Sequence, residues 1–321
     1  MRLSLGMHQR GAGIIAALGS AVLLGFTPVL GKLAIMMGIS PLGVVAWRTA
    51  LAALLILIFV LAFYRQFLYI FPAGLYGCAL AGCINGLGSI LYYLALQRLD
   101  AGIGQMIYSF YPFFVALWLT MDGQPLGLLT FFRMLIAALG ILLLTALQPG
   151  GAPLAGILMM LGAGALYALH LPINQRVLYE VPAPTVTLYT LLAMSAVVVP
   201  AYLIFDPHPS ILAATSGPVI GLTIVTSLSR LALFLGVKRI GGMQTALLGL
   251  AELLVAVVLS WLWLHESLSS PQWLGALALA LSLILVRYEK AVARAQPEHV
   301  GWFAWIRPPE IPRDAPWGPH E

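Results

Sequence analysis

Three ionisable side chains fall well inside long apolar runs: Arg48, Arg230 and Glu252. A charge in hydrocarbon is costly, and such groups face a cavity or one another. Their chemistry is that of ligands for a charged solute or, for Glu252, of a proton carrier. Two readings of Arg48 stand open, because it lies about two helical turns from the end of its run and its long stem can also carry the guanidinium outward. For the other two, folding the chain about the turn between Val237 and Gly242 sets Glu252 level with Ser227. That point is one turn from Arg230, so the two are expected to form a hydrogen-bonded pair.

Pro28, Pro112 and Pro172 interrupt apolar runs. Proline removes a helical donor and frees a carbonyl, which is tolerated in hydrocarbon only where protein or a wet cavity borders the backbone. Thr27 and His170 flank two of these prolines. His170 titrates in the physiological range and suits proton transfer or solute binding; its plainer role is to hydrogen-bond a carbonyl freed by Pro172. Trp47, Asn85, Ser89, Tyr92, Tyr108, Tyr111, Tyr167 and Tyr189 sit near mid-run. Rings with a few polar groups would line a cavity for a small amphipathic solute, although Ser, Asn and small residues such as Gly82 and Gly86 also serve helix packing. The candidate substrate-binding set is therefore Thr27, Trp47, Arg48, Asn85, Tyr92, Tyr108, Tyr111, Tyr167, His170, Tyr189, Arg230 and Glu252.

Catalytic and metal chemistry find little support. His265-Glu266 lacks the second histidine of a zinc-protease helix, since that position is Ser269. No G-x-S-x-G elbow is present. Cys78 and Cys83, the chain's two cysteines, lie five apart within one apolar run and read as packing residues. No enzyme, cofactor, metal or nucleic-acid partner is expected.

The elements that position these residues follow from composition. Of 321 residues, 61% are hydrophobic and 8% are charged, against about 25% charged in a soluble domain. At roughly 20 apolar residues per crossing, the runs predict helices near 13–37, 41–63, 69–96, 102–121 and 126–147. Five more are predicted near 154–178, 184–205, 212–237, 242–264 and 271–287. The joints are short, as in Gln148-Pro149-Gly150-Gly151. The fold expected is an all-α membrane protein of ten transmembrane helices. The stretch from Gly13 to Gly38 is too long for a signal-peptide core and reads as the first span.

With the N-terminus inside, the inside ends carry Arg2, Arg10, Arg65, Arg133, Arg176, Lys238, Arg239, Arg287, Lys290 and Arg294, and the outside ends only Lys32 and Arg98. That bias predicts an inner (plasma) membrane protein with both termini cytoplasmic. Residues 1–12 and a flexible tail over 288–321, with Trp302 and Trp305, would then be cytoplasmic. Trp261, Trp263 and Trp273 read as an interfacial belt.

The chain also repeats: Leu18-Gly19 through Pro41 lies over Leu161-Gly162 through Pro184, pairing Thr27 with His170 and Lys32 with Gln175, and Gln97-Arg98-Leu99 lies over Lys238-Arg239-Ile240. Repeats over 13–147 and 153–287 contain five helices each, an odd number, so the second must insert inverted. Inverted repeats are an architecture of secondary transporters, with the site near the midplane and the halves rocking about it.

The run LLGFTPVLGKLA (23–34), with Pro41 and then Arg48, and the run AELLVAVVLSWLWLHESLSSPQWLGA (251–276) resemble an EamA-type member of the drug/metabolite transporter superfamily. The resemblance spans about 13–287. It implies ten helices in two five-helix repeats and, most commonly, export of metabolites such as amino acids or other amphipathic compounds. The chain departs from the family pattern at Tyr111-Pro112, where an acidic residue is usual, and at Asp122-Gly123-Gln124-Pro125, a reduced acidic turn. The expected function is secondary transport by alternating access, with a small-molecule substrate and the lipid bilayer as partners. Protons are a coupling partner if Glu252 carries them; an uncoupled facilitator or exchanger fits the same residues.

Overall fold

The computed structural model describes residues 2–99, 101–124, 126–145, 153–206, 211–264 and 270–288. The 148–151 joint, the His265-Glu266 pair and the tail with Trp302 and Trp305 lie outside the described residues, as do the side chains of Trp261 and Trp263.

Among the described residues the regular structure is helical throughout. A helix satisfies its own backbone donors and acceptors, which hydrocarbon cannot do. The order is α1 (Arg2–Leu24), α2 (Thr27–Met36), α3 (Pro41–Phe63), α4 (Pro72–Arg98), α5 (Ala101–Tyr108), α6 (Tyr111–Met121) and α7 (Leu128–Thr145). There follow α8 (Leu154–Leu178), α9 (Ala183–Phe205), α10 (Gly217–Ile240), α11 (Gly242–Gly249), α12 (Ala251–Leu264) and α13 (Ser270–Ile284). Proline in the first turn opens α3, α4, α9 and α10, where its missing N–H is no loss. At α3 the Ser40 hydroxyl also accepts from the Gly43 N–H at 3.0 Å, a side-chain N-cap.

Seven helical segments are long and apolar enough to cross a membrane, counting α1 with α2 and α5 with α6 as one each; three shorter apolar helices lie in α7, α11 to α12 and α13. The apolar runs predict unbroken helices over 13–37, 102–121 and 242–264. Instead the chain breaks at Gly25–Phe26, at Ser109–Phe110 and at Leu250. Pro28 and Pro112 open the helices that follow the first two breaks, as proline's fixed φ favours. Pro172 stays inside a continuous α8. The first helix also starts earlier than expected, at Arg2.

The two halves of the chain interleave. The most extensive packing joins α4 to α8 and α9, α1 to α10, α7 to α13, and α3 to α9, each pairing a first-half helix with a second-half one. Leu54, Ile58, Leu203 and Ile204 point outward and are exposed. Gly82 and Gly86 allow α4 to approach α9. A Cβ on Gly82 would stand 2.6 Å from both the Thr190 carbonyl oxygen and the Ala193 Cβ. This is the small-residue packing expected of the pair. Cys78 is buried and Cys83 half-buried, both as free thiols.

Polar ties hold the ends. Arg176 pairs with Asp122 at 2.6 Å, both side chains buried. Arg133 is fully buried, donating from Nε to the Ser282 carbonyl at 2.9 Å and from Nη1 to Gln244. Reading Arg133 and Arg176 only as interfacial topology residues therefore needs correcting: both are internal tethers. Lys32 donates to the Leu96 and Leu99 carbonyls at 3.0 and 2.8 Å, satisfying orphan acceptors at the end of α4.

The contact at Gly82 makes a stability prediction. Gly82→Ala should lower the melting temperature in detergent through an overpacking cost of about 1–3 kcal/mol. Gly19→Ala, on α1 with nothing within 4 Å of the added carbon, should leave it unchanged or raise it; equal effects would show that α4 and α9 are not held at this contact.

Candidate functional site

The three helix breaks converge. Leu24 and Thr27 from the first, Gln105 and Tyr108 from just before the second, and Glu252 from just after the third all line one internal cavity, completed by Arg48, Asn85, Gly88, Ser89, Tyr92, Tyr167 and Arg230. Its volume is about 50 Å³, room for a few waters at roughly 10–15 Å³ each. A larger solute needs side chains or helices to move.

Arg48 is buried, with 6% of its surface exposed. Its Nη1 donates to Thr226 Oγ1 at 3.2 Å and its Nη2 to Ser89 Oγ at 3.3 Å. The guanidinium carbon lies 4.9 Å from the Tyr93 ring centre, and Nε has no hydrogen-bond partner among the described residues. The alternative in which Arg48 reaches outward to the interface is thereby overturned: the side chain turns into the bundle.

Arg230 is equally buried. Its Nη1 lies 3.1 Å from His170 Nε2, and its guanidinium carbon 5.7 Å from the Tyr167 ring centre. A guanidinium can only donate, so Nε2 is the acceptor and the imidazole proton sits on Nδ1, which donates to the Tyr167 carbonyl. His170 is thus held as one neutral tautomer behind Arg230. The carbonyl that it engages is that of Tyr167; the residue four before Pro172, whose carbonyl proline frees, is Ala168.

Glu252, in the first turn of α12, accepts from Gln105 Nε2 at 2.6 Å, and Gln105 Oε1 accepts from the Tyr92 hydroxyl at 3.3 Å. The expected Arg230–Glu252 pair is not formed. Hairpin counting assumed an unbroken ninth span, whereas the helix stops at Gly249 and restarts at Ala251, which alters the register beyond the break. Both residues face the same cavity, each with a different, neutral partner.

Of the twelve residues proposed from sequence, Thr27, Arg48, Asn85, Tyr92, Tyr108, Tyr167, Arg230 and Glu252 line the cavity. Trp47, Tyr111, His170 and Tyr189 do not. Trp47 packs against the core between α3, α4 and their neighbours. The Tyr111 hydroxyl donates to the Ala246 carbonyl at 2.9 Å, beside Gly249, where a Cβ would collide with that hydroxyl at 1.8 Å. Tyr189 donates to the Leu68 carbonyl at 2.6 Å, remote from the breaks. Gln105 escaped the sequence reading, although it lies three residues before Tyr108 and so on the same helical face. Tyr92, Tyr108 and Tyr167 form a ring-to-ring wall, with centroids 5.1 Å apart for the first two and 5.5 Å for the last two. Thr27 Oγ1 is buried without a partner among the described residues. Also among the described residues, no three His, Cys, Asp or Glu side chains gather as metal ligands would.

Comparisons with known proteins agree in kind. Residues 11–146 and 154–288 each match one family, the EamA-like transporter family. The uncharacterized transporter sll1319 of Synechocystis sp. is 27% identical over 229 residues, which cover 67% of this chain and 66% of that protein, a little under two thirds of its length. A solved crystal structure shares the fold with a TM-score of 0.67 at 17% identity, covering 88% of this chain and 100% of the other.

The partners seen here predict where coupling lies. In a double-mutant cycle on detergent stability, Gln105→Ala and Glu252→Gln should be non-additive by about 0.5–3 kcal/mol, as contacting residues are. Additive losses would mean that the bond between them contributes nothing.

Proposed function

Because the chain belongs to the EamA-like transporter family, we propose that this multi-pass membrane protein is a secondary transporter that exports a small amphipathic metabolite, an amino acid or a compound of similar size, by alternating access. The observation that carries the reading is the meeting of three interrupted helices at a polar cavity. Irregular backbone is tolerated at membrane depth where it borders such a cavity, and discontinuous helices frame the sites of secondary transporters.

In this reading the seven long and three short apolar segments are ten spans, and the second five repeat the first with inverted orientation. The packing supports it, since a two-fold relation between repeats exchanges the α1–α10 contact with the α8–α4 contact and maps α3–α9 and α7–α13 onto themselves. The same packing supports a different division of the moving parts from the two sequence halves. Halves that interleave do not rock as two blocks. The moving bodies are mixed bundles, one of α4, α5, α6 and α8, the other of α1, α2, α10, α11 and α12, each closely packed within itself.

Hydrogen bonds between the two bundles flank and cross the cavity. Lys32 to the Leu96 and Leu99 carbonyls closes one side. On the other lie Tyr111 to the Ala246 carbonyl and the Gly242 N–H to Gln175 Oε1 at 2.7 Å. In the middle stand Arg230–His170 and Gln105–Glu252. A solute that takes over the middle contacts frees the bundles to open on one side while the opposite ties hold. The charge bias supports cytoplasmic termini and an inner-membrane location.

Flux through proteoliposomes tests the reading. A labelled panel of amphipathic metabolites should include at least one solute moved by the protein, and cells containing the protein should accumulate less of it than cells lacking it. Tyr108→Ala should raise its KM by about tenfold or more, in line with loss of a buried ring contact. Flux indistinguishable from empty liposomes across the panel would refute transport. For topology, Gly150→Cys in a chain lacking Cys78 and Cys83 should react with an impermeant thiol reagent in intact cells; labelling only after lysis would invert the assignment.

A further inference from the structure

The cavity contains more buried positive charge than its own carboxyl group answers. Arg48 and Arg230 both line it and are both buried to more than nine-tenths. Neither forms a salt bridge among the described residues, and the Arg176–Asp122 pair lies outside the cavity. Their partners are neutral: a serine and a threonine hydroxyl for Arg48, a histidine ring nitrogen for Arg230. Arg48 Nε and Thr27 Oγ1, buried atoms of two residues that line the cavity, have no hydrogen-bond partner among the described residues. The cavity's one carboxyl, Glu252, is turned to Gln105 instead.

An arginine at this depth is costly without an anion, and two facing one space repel each other. Guanidinium groups match a planar carboxylate in shape and donor spacing. Resting on the transport reading of this cavity, we infer that the solute is an organic monoanion whose carboxylate lies between Arg48 and Arg230, beside the Thr27 hydroxyl. Its apolar body lies against the Tyr92, Tyr108 and Tyr167 rings. Glu252 lines the same cavity, so a phosphate would have to seat its oxygens beside a further carboxyl group, whereas one planar carboxylate fits between the two guanidiniums. The neutral partners are what make the site usable: each arginine can leave a hydroxyl or an imidazole for the incoming carboxylate without breaking an ion pair.

The test uses the intact chain in lipid nanodiscs and reads ligand-induced thermal stabilisation. The probes are benzoate, phenylacetate and 3-phenylpropionate, each against its primary amide, with inorganic phosphate at matched concentration. At least one carboxylate should bind about ten- to a hundredfold more tightly than its amide, the range that a charge-assisted hydrogen bond supplies, and phosphate should stabilise less. Arg230→Gln and Arg48→Gln should each erase the preference for carboxylate over amide, and Arg98→Gln, at an exposed position, should retain it. Where a glutamine variant does not fold, Arg48→Lys or Arg230→Lys replaces it, keeping the charge and losing the planar fork, and should weaken carboxylate binding by about tenfold.

Carboxylates binding no better than amides, no probe binding at all, or phosphate stabilising as well as the best carboxylate would each overturn the inference. Flux in proteoliposomes separates it from the transport reading. Carboxylate binding without flux refutes transport and leaves the anion site standing. Flux of a neutral or cationic solute without carboxylate preference refutes the anion site and leaves transport standing.

Discussion

In hydrocarbon no water stands ready to take up a backbone N–H or C=O that a helix leaves free. Most of this structure follows from that requirement. At three described helix ends a side chain from elsewhere supplies the missing partner: Lys32 covers carbonyls at the end of α4, the Tyr111 hydroxyl covers the Ala246 carbonyl near the α11 to α12 break, and Gln175 receives the first N–H of α11. Each of these side chains comes from the opposing bundle. At these three ends the groups that complete the backbone also tie one bundle to the other.

Helix association in a bilayer has little hydrophobic drive, because lipid tails are as apolar as leucine. What remains is close packing and polar contact, and the structure separates them. Close packing within the bundles and across the α4–α9 face relies on small residues, as at Gly82 against the Thr190 carbonyl. Around the cavity the bundles meet through single hydrogen bonds, Arg230 to His170 and Gln105 to Glu252, and Arg48 on α3 bridges Ser89 of one to Thr226 of the other. Such bonds are worth about 1 kcal/mol each in membranes. In the proposed transport cycle the bundles would therefore stay intact while the seam between them is exchanged.

Much of this was legible in the sequence and some was not, for a definite reason. Element type and approximate ends followed from apolar run length; α3 and α8 begin and end at the expected residues. The cavity-lining set was also accessible, since an ionisable or polar residue in an apolar run has few places to be. What run length cannot reveal is a helix that stops and restarts without a polar residue to mark it, as at Leu250, and the Arg230–Glu252 pairing failed at that point. Tyr111 and Tyr189 lie off the cavity, which run length does not reveal either. Composition cannot distinguish a phenol that faces a cavity from one that satisfies a distant carbonyl, because both occupy the middle of an apolar run. Gln105 is a neutral amide, which a count of charges within apolar runs does not single out, although it bonds to the cavity's carboxyl.

The choice of partners for the deep arginines bears on how such a site stays both folded and mobile. A protein carboxylate against Arg230 would compensate its charge well, and breaking that pair would cost about 3–5 kcal/mol, enough to compete with any solute and to lock α8 against α10. His170 offers an acceptor without a charge. Its tautomer is fixed by the Tyr167 carbonyl, and its own carbonyl accepts from Asn174 at 3.0 Å, so the ring stays in place when the guanidinium leaves. Arg48 is treated in the same way, with two hydroxyls at 3.2 and 3.3 Å from opposite bundles. In each case the donors are satisfied well enough for the bundle to form, while the charge is left to be neutralised from outside. Both arginines line the cavity at which three interrupted helices meet, and in the proposed alternating-access reading this is where a bound anion would be coupled to movement of those helices.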